Sequence, residues 1–295
     1  MTKSFSIICA LITTFIWGTA FIAQDTGMDN IGPLTFNASR FFVGFMTVLP
    51  FAFFFERKKI YEQIQINKRK FFKYLMIMGV SLFLGTSLQQ ASLQYTNVAN
   101  AAFFTVFYVP LVPIILFFIY SQKVHWSIWP SICLCVYGVY LLSNFSNTEI
   151  MIGDSLVILC SLFWALHIIF AGKFMKVFDI PIFYAALQAM LVTILSIFFA
   201  YIFEEIIFSN ILLESSSIIY AGVLSGGIAF TLQMYAQKNI EEAPAAIIYS
   251  LEGVFAVIAA WIILNQILDI KNIAGCILIL LAVIFSQLAP SVKKN

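Results

Sequence analysis

Ten long apolar runs divide this chain, at roughly 5–23, 34–55, 72–90, 99–120, 127–143, 152–171, 182–203, 217–236, 245–264 and 272–289. None holds more than one charged residue, and each approaches the roughly 20 residues that cross a bilayer as helix. Inside lipid the backbone must satisfy its own polar groups, which leaves helices or a closed barrel. These runs are continuously apolar and too long for strands, whose lipid-facing pattern would alternate. The expectation is therefore an all-α membrane protein with ten transmembrane helices. The loops are short, and the longest connection, 56–71, reads as a charged surface segment with no room for a soluble domain. Lys3 ahead of the first run resembles a secretory signal, but no small-x-small site follows and Trp17-Gly18 lies within, so an uncleaved helix is expected.

A weak internal echo runs through the ten. Leu88-Gln89 followed by Ala99-x-Ala101-Ala102 recurs 144 positions later as Leu232-Gln233 and Ala243-x-Ala245-Ala246, and the same shift takes Gln122 onto Gln266. Earlier in each half the shift is slightly larger: Trp17 falls on Trp164 at 147 and Pro33 on Pro181 at 148. Two five-helix repeats are expected, at 1–148 and 149–295. With both termini on the cytoplasmic side, 14 of the 16 basic residues lie on inside segments, which satisfies the positive-inside rule over every loop. Five spans is an odd number, so the second repeat must enter the membrane with the opposite polarity to the first. Inverted repeats let each half adopt what the other has just left around a central site.

Phe15-Ile16-Trp17-Gly18-Thr19-Ala20-Phe21, Gly32-Pro33-Leu34 leading to Arg40-Phe41, Leu93-Gln94-Tyr95-Thr96 leading to Ala99-Asn100-Ala101-Ala102, and Tyr249-Ser250-Leu251-Glu252 together resemble the EamA-like branch of the drug/metabolite transporter superfamily. The resemblance covers essentially the whole chain in both halves. It implies ten helices, an inner-membrane location, and transport of small organic solutes, amino acids and related metabolites being common among them. The family often carries an acidic residue at the end of the fourth and ninth spans, where this chain has Gln122 and Gln266.

Charge inside a span is costly, roughly 2.5–3.5 kcal/mol for Arg at a helix centre on insertion scales, so Arg40 should face the bundle interior or water. It either holds a substrate carboxylate or phosphate or snorkels and ties helices together. Glu252 is the matching acid: a binding group and candidate for proton coupling, or a capping or packing residue. The repeat places Arg40 on Gln188 and Tyr108 on Glu252, so these four are expected to line a cavity between the second, fourth, seventh and ninth spans. Trp17 and Trp164 either stack on a planar or cationic solute or pack. Gln89 and Gln233 are gate candidates or interhelical contacts. His167 is a proton relay or a hydrogen-bonded structural residue.

Other chemistry is not indicated. No phosphate-cradling Gly loop, zinc spacing or Ser nucleophile elbow occurs, so neither a cofactor, a metal nor catalysis is expected. The five Cys all fall within runs and read as packing residues. A membrane-embedded lipid-modifying enzyme is the alternative of another class, set aside because no cluster of acidic or His residues gathers at one interface. The expected partners are a small-molecule substrate and the bilayer, with proton exchange, uniport and exchange of two metabolites equally open, and with no nucleic acid, in a monomer or homodimer. The expected activity is secondary transport of a small organic metabolite by alternating access, in the efflux direction, with uptake as the alternative.

Overall fold

The computed structural model describes residues 2–96, 98–142, 152–264 and 269–287, and among these there is helix and no strand. The elements are α1 (Lys3–Thr26), α2 (Pro33–Ile66), α3 (Lys68–Ser92), α4 (Val98–Thr105), α5 (Tyr108–Phe118), α6 (Ile128–Leu142), α7 (Ile152–Met175), α8 (Pro181–Phe203), α9 (Phe208–Leu213), α10 (Ser215–Tyr220), a π segment (Ala221–Ala229), α11 (Phe230–Ala236), α12 (Glu242–Tyr249), α13 (Leu251–Leu264) and α14 (Ile270–Gln287). Among the described residues nine helical stretches are long and apolar enough to cross a membrane, and the shorter α6, about 22 Å long by its rise per residue, stands where the fifth span is expected. Large apolar side chains such as Phe54, Phe118, Tyr201 and Ile284 are exposed around the outside, as lipid contact requires. Gln266 and the C-terminal lysines lie outside the described residues.

The expected surface segment 56–71 is helical. It has neither Gly nor Pro to stop α2, which continues to Ile66, and Ile60 and Ile64 pack on the cluster around Phe71, Phe174 and Tyr184. Only Asn67 interrupts the chain: it leaves helical geometry, and its side chain accepts from Lys70 N to start α3.

The halves of the fold interlock through α2 and α8. Both begin with Pro at the first helical position, where its missing N–H costs nothing. Glu204, just past the end of α8, accepts hydrogen bonds from Leu34 N, Thr35 N and Thr35 Oγ1 at 2.7–2.8 Å. Glu56, late in α2, accepts from Ile182 N and Phe183 N at 3.2 and 2.8 Å. Glu56 and Glu204 are 148 residues apart, the same shift that relates Pro33 to Pro181. Each repeat therefore caps the helix start of the other at opposite faces of the bundle, the arrangement a two-fold axis in the membrane plane produces. A second crossing joins α6 to α14, whose backbones meet where a Cβ on Gly138 would lie 2.8 Å from Gly275 O. The fold is thus two inverted five-helix repeats.

Both repeats also break one span. In the first, α4 gives way to α5 at Val106, with Val109 N donating to Val106 O at 2.8 Å; in the second, α12 gives way to α13 at Ser250, with Gly253 N donating to Ser250 O at 3.2 Å. These are matched i to i+3 bonds, 144 residues apart, and such tightened turns re-aim the side chains that follow them.

Candidate functional site

The residues just past the two breaks are Tyr108 and Glu252. They face each other at the centre of the molecule, the Tyr108 hydroxyl donating to Glu252 Oε1 at 3.4 Å. Gly18 permits this placement, because a Cβ there would come within 2.6 Å of Glu252 O, so α13 presses against α1 at this level. A cavity of about 490 Å³ of atom-free space, open solvent at its mouth included, lies alongside.

Arg40 reaches the same cavity from the second turn of α2. Its Nε donates to Asn37 Oδ1 at 2.8 Å, and its guanidinium lies 5.0 Å from the Phe41 ring centroid and 5.7 Å from that of Phe36. Among the described residues no carboxylate pairs with it. Three glycines of the π segment bring that backbone onto α2: a Cβ on Gly222 would meet Arg40 O at 2.7 Å, and one on Gly44 would meet Gly226 C at 2.8 Å. A π turn inserts an extra residue into a helix and recurs at functional sites; here it carries Ser225 into the cavity wall.

One side of the cavity is aromatic. Trp17 lies 6.0 Å from Trp164, 5.2 Å from Phe230 and 5.6 Å from Tyr249, and Trp164 stacks on Phe230 at 6.2 Å. These four form a layer across the bundle. Toward the face where α1 ends, here the distal face, the cavity wall carries Phe21, Gln24, Thr86 and Gln89, the last donating to Thr105 Oγ1 at 3.0 Å. Toward the opposite, N-terminal face lie three ion pairs among the described residues. Asp179 pairs with Lys59 at 2.6 Å and with Lys238, and Lys176 pairs with Glu242 at 2.9 Å. Burial would raise the Asp179 carboxyl, but the hydrogen bonds from Lys238 and Lys59 outweigh it and hold the group below its ordinary value.

Arg40, Tyr108, Glu252, Trp17, Trp164 and Gln89 therefore share one cavity. Gln188 and Gln233 do not line it. Gln188 instead accepts from His167, Oε1 to Nε2 at 3.0 Å, and Gln233 is fully buried in α11 with neither amide atom bonded within the protein. The seventh span, α8, contributes nothing to the wall, whereas the first, third, sixth and eighth do. The expectation of a cavity between spans two, four, seven and nine is corrected accordingly: α8 starts at the N-terminal face, so Gln188, its eighth residue, sits below the aromatic layer while Arg40 sits above it. Gln24, Thr86, Thr105, Ser225, Phe230 and Tyr249 were not singled out from the sequence. The repeat offset finds four of them, because Thr86 pairs with Phe230 and Thr105 with Tyr249 at 144.

The profile of the EamA-like transporter family matches residues 4–144 and again 151–288. An uncharacterised transporter of Archaeoglobus fulgidus is 31% identical over 277 residues, covering 94% of this chain and 84% of that protein. An uncharacterised transporter of Bacillus subtilis is 23% identical, covering 95% and 96%, and a WAT1-related protein of Arabidopsis thaliana is 24% identical, covering 79% and 75%. A solved crystal structure superposes with a TM-score of 0.78 at 14% identity, covering 97% of this chain and 98% of that one.

Proposed function

The chain belongs to the EamA-like transporter family, and from that premise we propose that it is a secondary carrier that exports a small organic metabolite, an amino acid or related solute, by alternating access. The observation that carries this reading is the pairing of repeat mates around one cavity. Trp17 with Trp164, Phe21 with Ile168, Thr86 with Phe230, Thr105 with Tyr249 and Tyr108 with Glu252 all line it. A site lined by both members of inverted-repeat pairs can be presented to either face in turn, which is what a carrier needs.

In this reading Arg40 holds the anionic group of the solute through its planar donors, and the aromatic layer packs against the apolar body. Glu252 receives the cationic or polar end and exchanges a proton with the cavity, Tyr108 giving up its hydrogen bond as the solute arrives. The chain sits in the inner membrane with both termini cytoplasmic, so the distal face is the exterior. The repeats meet near residue 149.

The test is flux. Purified protein in liposomes is screened with labelled amino acids, nucleosides and cofactors, with and without a pH gradient. Transport of at least one of these is expected, and Glu252→Gln should abolish its dependence on the gradient. Absence of flux for every solute together with turnover of a lipid would overturn the reading, and an intact proton-driven flux in Glu252→Gln would remove that residue from coupling.

A further inference from the structure

The inverted repeat is not symmetric in what it exposes. Two polar pairs are split by the aromatic layer: Arg40 lines the distal cavity while its mate Gln188 is sealed, and Gln89 lines it while its mate Gln233 is sealed. The sealed members share the region on the N-terminal side of Trp164 and Phe230. His167 lies one turn past Trp164, its ring 5.9 Å from that of Phe230, and bonds Gln188; Gln233 lies one turn past Phe230; and Gln237, one turn further, donates to Ile168 O at 2.8 Å. All four side chains are buried. Gln188 Nε2, His167 Nδ1, both amide atoms of Gln233 and Gln237 Oε1 have no hydrogen-bond partner within the protein.

Packing alone does not explain so many unbonded amide atoms, since a fold selected only to stay shut would place apolar side chains there. Groups that must be wet in another conformation have to remain polar. Resting on the alternating-access reading above, we propose that Gln188 and Gln233, with His167, form a second solute-binding surface. It is sealed in this conformation and opens to the N-terminal face when the distal cavity closes. It takes the polar end of the same solute through amide and imidazole hydrogen bonds where the distal cavity uses the guanidinium of Arg40.

The exchange of an Arg for a Gln makes the two states unequal. A carboxylate or phosphate gripped by Arg40 meets an amide after the switch, and an amide bond to an anion is weaker than a charge-assisted bidentate one by roughly tenfold in binding constant or more. An anionic group is therefore held less tightly on the N-terminal face than on the distal face, a difference of affinity that leaves the direction of net export to the driving gradient.

The experiment uses Gln233→Cys and Gln89→Cys in the full chain, placed in oriented liposomes and exposed on one side or the other to a membrane-impermeant methanethiosulfonate. Peptide mass spectrometry resolves these positions from the five native Cys. Modification at position 233 from the N-terminal face only, and at position 89 from the distal face only, is expected. Position 89 modified with position 233 silent from both sides would overturn this inference and leave the cavity reading standing. Silence at both would bring down the cavity reading as well. Gln233→Met supplies a second readout: removing unbonded polar atoms should leave thermal stability equal or higher while flux falls about tenfold. Stability falling with flux, or flux unchanged, would mark Gln233 as packing.

Discussion

Removing Glu56 should destabilise the protein more than removing Glu204, although Glu204 makes more hydrogen bonds. Glu56 is 5% exposed and its carboxylate satisfies two N–H groups in the first turn of α8. Hydrogen bonds to a charged acceptor contribute about 1.5–3 kcal/mol each, and a buried donor left unbonded costs the full desolvation of its group. Glu56→Ala also withdraws a negative charge from the positive end of the α8 dipole, a further 0.3–1 kcal/mol or so. A loss of about 3–5 kcal/mol is expected. Glu204 is only partly buried, so water replaces its three bonds in Glu204→Ala and the loss should stay nearer the ordinary N-cap value of about 1–2 kcal/mol. The assay is unfolding in mixed micelles followed by tryptophan fluorescence, with solute selectivity measured alongside. The two caps act at opposite ends of the α2–α8 pair, so the double variant should be additive to within about 0.5 kcal/mol. Equal losses, a reversed order, or a change in selectivity without loss of stability would refute the assignment of these residues as reciprocal caps.

Gly44→Leu should cost about 1–3 kcal/mol by overpacking, since its Cβ would press on the backbone of Gly226 and Gly222, and it should weaken solute binding by displacing α2 at Arg40. Gly227→Ala, whose nearest new neighbour is the Val48 side chain at 3.1 Å, should be milder in the same melting assay. Asp179 is held charged by Lys59 and Lys238. A depressed carboxyl contributes stability that is full above its unfolded value and lost as pH falls through the folded one, so wild-type stability should drop more steeply below about pH 4 than that of Asp179→Asn. Parallel curves would rule out the ion pairs of Asp179 as stabilising contacts at the N-terminal face.

The span pattern was legible because lipid leaves a chain few options, and the offset of 144–148 residues carried the inversion with it. What escaped were departures from regular helix. The breaks at Val106 and Ser250 fall inside continuous apolar runs, and the π segment differs from an α-helix only in backbone register, so neither leaves a mark in hydropathy. The extension of α2 was missed because charge was read as loop, although the segment has no residue that stops a helix. That reading also hid Glu56 and with it the reciprocal caps. At the site, Arg40 and Glu252 stood out as charges inside spans, and both line the cavity. Gln188 was placed by symmetry beside Arg40, although the symmetry relates positions on opposite sides of the membrane midplane; Gln89 and Gln233 were expected near opposite faces, and of those two it is Gln89 that lines the cavity.

The central claim is that Arg40, carried into the cavity by α2, holds the solute. The most direct measurement is flux of an anionic or zwitterionic solute through liposomes containing wild type or Arg40→Ala at matched, folded protein levels. Loss of that flux with an unchanged melting curve is expected, because no carboxylate among the described residues depends on Arg40 for its charge balance. Undiminished flux through Arg40→Ala would contradict the account.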